Sequence, residues 1–274
     1  MTIVAFTGDG ATTTTLAVAA TWPHADDVVV VELDESGGSA TAWLDTPSTP
    51  TLGTIVANPA TDDTTVLETL RSMSHRSRTG LEFVAAPIRS RAARRAVAEA
   101  STSLVPALAA DADLVALCDL GRRHATDLPT AVLGRAAVTV VVHRQERASP
   151  AAASVRIERL VEVVEQLAGF PVVLAIVGDD PFDPREIVQL VDEAAPGTVV
   201  AWASLADDPL AAAVLAGRRG VSAPRLRRLP LVRSAAGLAT ELRRRVGSGA
   251  AVATSAAIGH VGATTTGDDT RVGT

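Results

Sequence analysis

Three short segments combine residue types that handle phosphate, metal ions or activated water. The first is Gly8-Asp9-Gly10-Ala11-Thr12-Thr13-Thr14-Thr15. It follows a β-branched run, Thr2–Thr7, and leads into a helical pattern over Thr14–Ala20. A strand, a glycine turn and a helix start in that order aim backbone N–H groups and hydroxyls at an anion. The second segment runs from Val28 to Gly38 and carries Glu32 and Asp34 at the end of an apolar strand. Two acids at a strand's carboxyl end suit a metal ion or an activated water. The third is Asp113 to Arg122, a buried-strand pattern ending in Asp119, then Gly121 and Arg122. Each has a plainer reading beside it: a glycine turn, a solvated strand end, a surface arginine.

Together these segments resemble the ParA/MinD family of P-loop ATPases, whose loop typically reads KGGVGKTT. Laid on that motif without gaps, Gly8 stands at the intermonomer signature lysine and Asp9 at the first glycine. Gly10 then falls on the next glycine, Ala11 on valine and Thr12 on the third glycine. Thr13 falls on the phosphate-gripping lysine, Thr14 on the magnesium-holding threonine and Thr15 on its neighbour. The second segment is similar to the family's DxDPxGG, which implies Asp34 as the residue positioning attacking water and Glu32 beside magnesium. Asp119 matches the magnesium-associated aspartate of the family's third strand. The resemblance thus implies a magnesium-ATP site. Gly8, Gly10, Thr12, Thr13, Thr14, Thr15 and Arg122 would lie at the nucleotide, Thr14, Glu32 and Asp119 at the metal, and Asp34 at the reacting water. The Gly178-Asp179-Asp180-Pro181 stretch is similar to an actinobacterial MinD-like group.

The chain departs from the pattern in its charges. All 25 basic residues are arginine, so both family lysines are missing. Asp9 adds a carboxylate that repels a triphosphate. Threonine at position 13 donates hydrogen bonds but carries no cation. The expectation is therefore a degenerate domain with lost or weakened ATPase activity, acting through a protein partner or homodimer in localisation, partition or secretion. An alternative is a magnesium-dependent ATPase in which an arginine replaces the loop lysine. Arg122 is the first candidate for that cation and Arg144 the second.

Elements must position these residues. Near-continuous apolar runs at Val28–Leu33, Leu81–Ala85, Leu114–Asp119, Val138–His143, Val172–Val177 and Thr198–Trp202 alternate with helix-length segments. They predict an α/β fold: a doubly wound, mostly parallel sheet with helices on both faces, of the P-loop NTPase type. One helix is marked by Ser149 as cap, Pro150 at its first position and Gly169 beyond its end. Another is expected over Ser90–Leu108. Loops and short helices fill 36–78. The domain is expected to span 1–246, with a flexible Gly/Ala/Thr-rich tail at 247–274.

Composition excludes several chemistries. A chain without lysine forms no lysine Schiff base. One cysteine, Cys118 in an apolar run, forms no intramolecular disulfide. The histidines lack HxxH spacing and no GxSxG elbow is present. The start is not a signal peptide and no run of about 18 apolar residues appears, so a cytoplasmic setting is expected. Nine arginines fall between Arg218 and Arg245 beside a stripe of Leu231, Ala235, Leu238, Leu242 and Val246. DNA, a membrane or an acidic protein would suit that stretch, and a solvated face on a packed helix is the favoured reading.

Overall fold

The computed structural model describes residues 2–23, 26–58, 62–122, 129–145, 149–247 and 259–261. The chain opens with β1 (Ile3–Gly8), α1 (Ala11–Thr21), β2 (Asp27–Glu32), α2 (Ala40–Leu44), α3 (Leu52–Val56) and α4 (Asp63–Met73). It continues through β3 (His75–Arg76), β4 (Glu82–Val84), α5 (Ser90–Thr102), α6 (Leu104–Ala110), β5 (Leu114–Asp119), α7 (Thr130–Leu133) and β6 (Ala136–Arg144). Then come α8 (Pro150–Gln166), β7 (Val172–Val177), α9 (Pro184–Ala194), β8 (Val199–Leu205), α10 (Pro209–Leu215), α11 (Ala223–Leu226), α12 (Pro230–Gly247) and β9 (Gly259–Val261).

The strands form one sheet in the order β3-β4-β2-β5-β1-β6-β7-β8-β9. Only β3 is antiparallel, on β4; every other neighbouring pair is parallel. Both faces are apolar, so successive residues serve opposite cores. Ile3 and Ala5 join the core under α3 to α9, while Val4 and Phe6 join the core under α1, α2, α10 and α12. Val172, Leu174 and Ile176 of β7 face the first core and Val173, Ala175 and Val177 the second. This is the expected doubly wound architecture.

Three elements differ in detail from the sequence reading. The helix expected over Ser90–Leu108 breaks at Ser103 (φ −117°, ψ −61°). Pro106 has no N–H for the carbonyl of Thr102 and its ring would clash there, so a new helix starts and holds Pro106 in its first turn. The β3 edge strand is two residues long, too short to leave a periodic pattern. The short α11 was likewise not expected.

The predicted cap on α8 forms: the Ala152 N–H donates to the Ser149 hydroxyl, and Pro150 sits in the first turn. On α12, Leu231, Ala235, Leu238 and Leu242 are all buried, and the helix packs on α1 and β8. The stripe is core, which leaves it no role as a membrane-facing surface. Among the described residues no helix is long and apolar enough to cross a membrane. The expected tail lies outside the described residues except for its start at Gly247 and for Gly259–Val261, which pairs in parallel with β8.

Candidate functional site

The carboxyl ends of the central strands share one edge. Register places Phe6 and Glu32 both opposite Asp119, and Gly8 opposite Val142. From β1 the chain winds toward β2, and from β5 it crosses β1 toward β6. The crevice between the ends of β1 and β5 is therefore the topological switch point, where such folds place ligands.

The β1–α1 connection fills this crevice. It consists of Asp9 and Gly10 alone. Gly8 adopts φ +112°, and a Cβ there would lie 2.1 Å from the Val142 carbonyl oxygen. Its N–H donates to the Gly121 carbonyl at 3.1 Å. Position 8 thus admits no side chain on this backbone, lysine included. Gly10 caps α1 in the left-handed region at φ +95°, and its carbonyl accepts from Thr14 N–H at 3.0 Å. The first turn of α1 holds Ala11, Thr12 and Thr13, whose N–H groups precede the helix ladder.

Asp9 stands at the mouth of this turn between two guanidinium groups. Arg122 Nη2 donates to its Oδ1 and Arg156 Nη1 to its Oδ2, each at 2.6 Å. Arg122, the first candidate cation from the sequence, lies at the loop with its guanidinium engaged by Asp9. Arg156 comes from the polar side of α8; its helical spacing marks it only as off the apolar stripe, so sequence gave no signal for it. His143, at the end of β6, is buried beside this pair. Burial pushes its imidazole down to about 4, with Asp9 pulling upward and Arg156 downward.

The three expected acids are brought to the same edge but are engaged differently. Glu32 is buried, its Oε1 accepting from the N–H groups of Ser39 (2.8 Å) and Ala40 (3.1 Å), its Oε2 from Ala86 (2.9 Å). It ties the start of α2 and the residue beyond β4 to the end of β2. Burial pushes it up to about 7, against the pull of the Ser39 N–H. Asp119 is also buried; its Oδ1 accepts from Gly121 N–H at 3.0 Å and its carboxyl bonds the Thr12 side chain. Burial raises it to about 6. Asp34 turns its Oδ1 to the Ser36 N–H (2.8 Å) and hydroxyl (2.6 Å). Its other oxygen lies against Gly121, where a Cβ would come within 2.2 Å.

The remaining candidates separate. Thr13 is half-buried, whereas Thr14 and Thr15 are fully buried in α1, and the Thr15 hydroxyl donates back to the Ala11 carbonyl at 2.9 Å. Thr12 is therefore the threonine that reaches Asp119. Arg144 turns away to Asp207 at 3.0 Å. Among the described residues no group of three or more His, Cys, Asp or Glu side chains is arranged to hold a metal ion. Cys118 is buried, and burial pushes its thiol up to about 12, which suits packing and not nucleophilic attack. Beside the crevice, buried Gln145 donates to the carbonyls of Gly178 (3.0 Å) and Phe182 (2.8 Å), fastening the end of β6 to the loop after β7.

No protein-family profile and no curated protein sequence matches the chain. Solved structures do. The chain is similar to a ParA family ATPase from Chlorobium tepidum TLS, with TM-score 0.62 and 13% identity over 87% of this chain and 98% of that one. It is similar to the septum site-determining protein MinD from Pyrococcus horikoshii OT3, complexed with Mg-ADP (TM-score 0.59, 14% identity, 91% and 99% covered). The MinC:MinD cell division complex of Aquifex aeolicus also matches (TM-score 0.55, 10% identity, 94% and 100% covered). At these identities the likeness is one of fold: the chain has the architecture shared by ParA-type and MinD-type P-loop ATPases.

Proposed function

We propose that this chain is a P-loop-type domain without ordinary nucleotide hydrolysis, acting by binding another protein in a localisation, partition or secretion-like process. The Asp9 carboxylate held between Arg122 and Arg156 carries the reading. The cations nearest the loop already hold an anion supplied by the loop itself. Three features support it. A Walker A motif places four residues between its glycines before the lysine, whereas Asp9 and Gly10 alone join β1 to α1 here. In P-loop enzymes the hydroxyl after that lysine shares magnesium with the strand aspartate; Thr12 lies beside Asp119, and in this reading Ala11 takes the place of the lysine. Gly8 has no room for the other lysine. The residues present fit a magnesium triphosphate poorly. The Aquifex aeolicus MinD occurs with MinC, and a partner protein, or a second copy of the chain, takes that place in this reading.

Equilibrium titration of the full chain with magnesium-ATP tests this. No saturable binding in the micromolar range is expected. Micromolar binding with turnover abolished by D34A overturns it.

One observation favours a second reading: Arg122 and Arg156 place two guanidinium groups at the loop. If these replace lysine, D9N frees both and raises the affinity for magnesium-ATP. Unchanged affinity in D9N removes this alternative.

A further inference from the structure

Eight of the nine arginines between Arg218 and Arg245 form two groups, and the ninth, Arg233, is exposed near the start of α12. Those at the end of α12 are matched inside the chain: Arg243 pairs with Asp26, and Arg244 and Arg245 both pair with Glu241. Arg218, Arg219, Arg225, Arg227 and Arg228, before α12, are exposed, and no carboxylate pairs with any of them among the described residues. No Asp or Glu occurs between Asp208 and Glu241. Acids are not scarce in the chain, which carries 31 Asp and Glu against 25 arginines. Their exclusion from this stretch is local.

The surface has shape as well as charge. A cleft of about 230 Å3 lies between Arg78 and Arg219, walled by Val214, Val221 and Leu226. Beside it the Arg218 guanidinium lies 4.9 Å over the Trp43 ring, and Arg78 Nη2 reaches Asp45 at 2.6 Å. Arg225 and Arg227 flank Leu226 of the cleft wall in the chain.

We propose that this surface docks an acidic segment of a partner protein that carries an apolar side chain between its carboxylates. Guanidinium groups bind carboxylates through two parallel N–H bonds, and the apolar wall accepts a side chain between them. A nucleic acid fits less well. The Arg218 guanidinium already lies over the nearby Trp43 ring, where a base would have to compete with it, and the apolar wall of Val214, Val221 and Leu226 matches a side chain and not a phosphodiester. The proposal rests on the protein-binding reading above and names its surface and partner chemistry.

Fluorescence anisotropy on the full chain at low salt tests it, with a short labelled peptide alternating Glu and Leu. The expected result is saturable binding that weakens with salt and falls at least about tenfold in R219E/R227E. Replacing the peptide's leucines by serine weakens binding too. Circular dichroism checks the fold of the variant, and R219Q/R227Q gives a smaller loss in the same direction with half the charge change. The proposal is overturned by absent binding, by equal binding to the charge-reversed chain, or by tighter binding to duplex DNA or anionic phospholipid vesicles. Magnesium-ATP titration on the same sample keeps the readings apart. Micromolar ATP binding sinks only the loss of nucleotide chemistry, and failed peptide binding sinks only this surface.

Discussion

At the residue scale, Asp9 is an internal counter-ion for two arginines. Both pairs reach solvent, with Arg122 69% and Arg156 37% exposed in their side chains, so screening keeps their contribution small. D9N should change unfolding free energy by less than about 1 kcal/mol in denaturant titration. The same substitution should lower the titration midpoint of His143 further, because Asp9 is the group pulling it upward. Imidazole chemical shifts across a pH series read this, and an unmoved midpoint refutes the coupling. Glu32 contrasts with Asp9, because its carboxylate satisfies three backbone N–H groups in the interior. E32A should cost about 3 kcal/mol or more, leaving those donors without an acceptor.

The pH dependence follows with opposite signs. Glu32 rises from 4.5 to about 7, so the folded chain holds this proton more tightly than the unfolded chain between those values. Its contribution to stability falls as pH rises through that window. His143 drops from 6.5 to about 4, so the unfolded chain takes up the proton first and this contribution grows as pH rises from about 4 to 6.5. Glu32 and Asp119 pull the other way over this window, so in denaturant titration H143N should lose stability more steeply than the wild type as pH rises from about 4 to 6.5. A slope in H143N equal to the wild-type slope refutes the assignment.

At the element scale, the central strands were legible because both their faces are apolar and the runs end in Gly or acid. The capped start of α8 was legible for the same local reason, and S149A should cost about 1 kcal/mol. The length of the β1–α1 turn was not. Four threonines in a row look alike in sequence, and only the folded chain singles out Thr12 as the one beside Asp119. The helix break at Ser103 was in principle readable from Pro106. Arg156 was not, since its meeting with Asp9 spans 147 positions and depends on how α8 lies over the loop. The burial of α12 makes its own prediction: L238A should lose about 2–5 kcal/mol, whereas a solvent-facing stripe would lose almost nothing.

At the scale of the whole molecule, arginine stands alone as the cation and its positions sort into uses. Two hold the Asp9 loop, Arg243 ties α12 to the turn after α1, and five before α12 face solvent without a carboxylate partner among the described residues. Binding to the native state raises melting temperature in proportion to the logarithm of ligand concentration. Millimolar magnesium-ATP should leave the melting temperature unchanged, and a concentration-dependent rise would restore the nucleotide-binding reading.

The two-residue turn at Asp9 and Gly10 also bears on how such a domain changes over time. Charge can be altered by one substitution at a time, and each step is reversible. A longer connection between β1 and α1 requires insertion, and Gly8 beside it tolerates no side chain until β1 and β6 move apart. A lysine at position 8 is therefore out of reach of a single substitution on this backbone, because chain length, strand spacing and charge would have to change together.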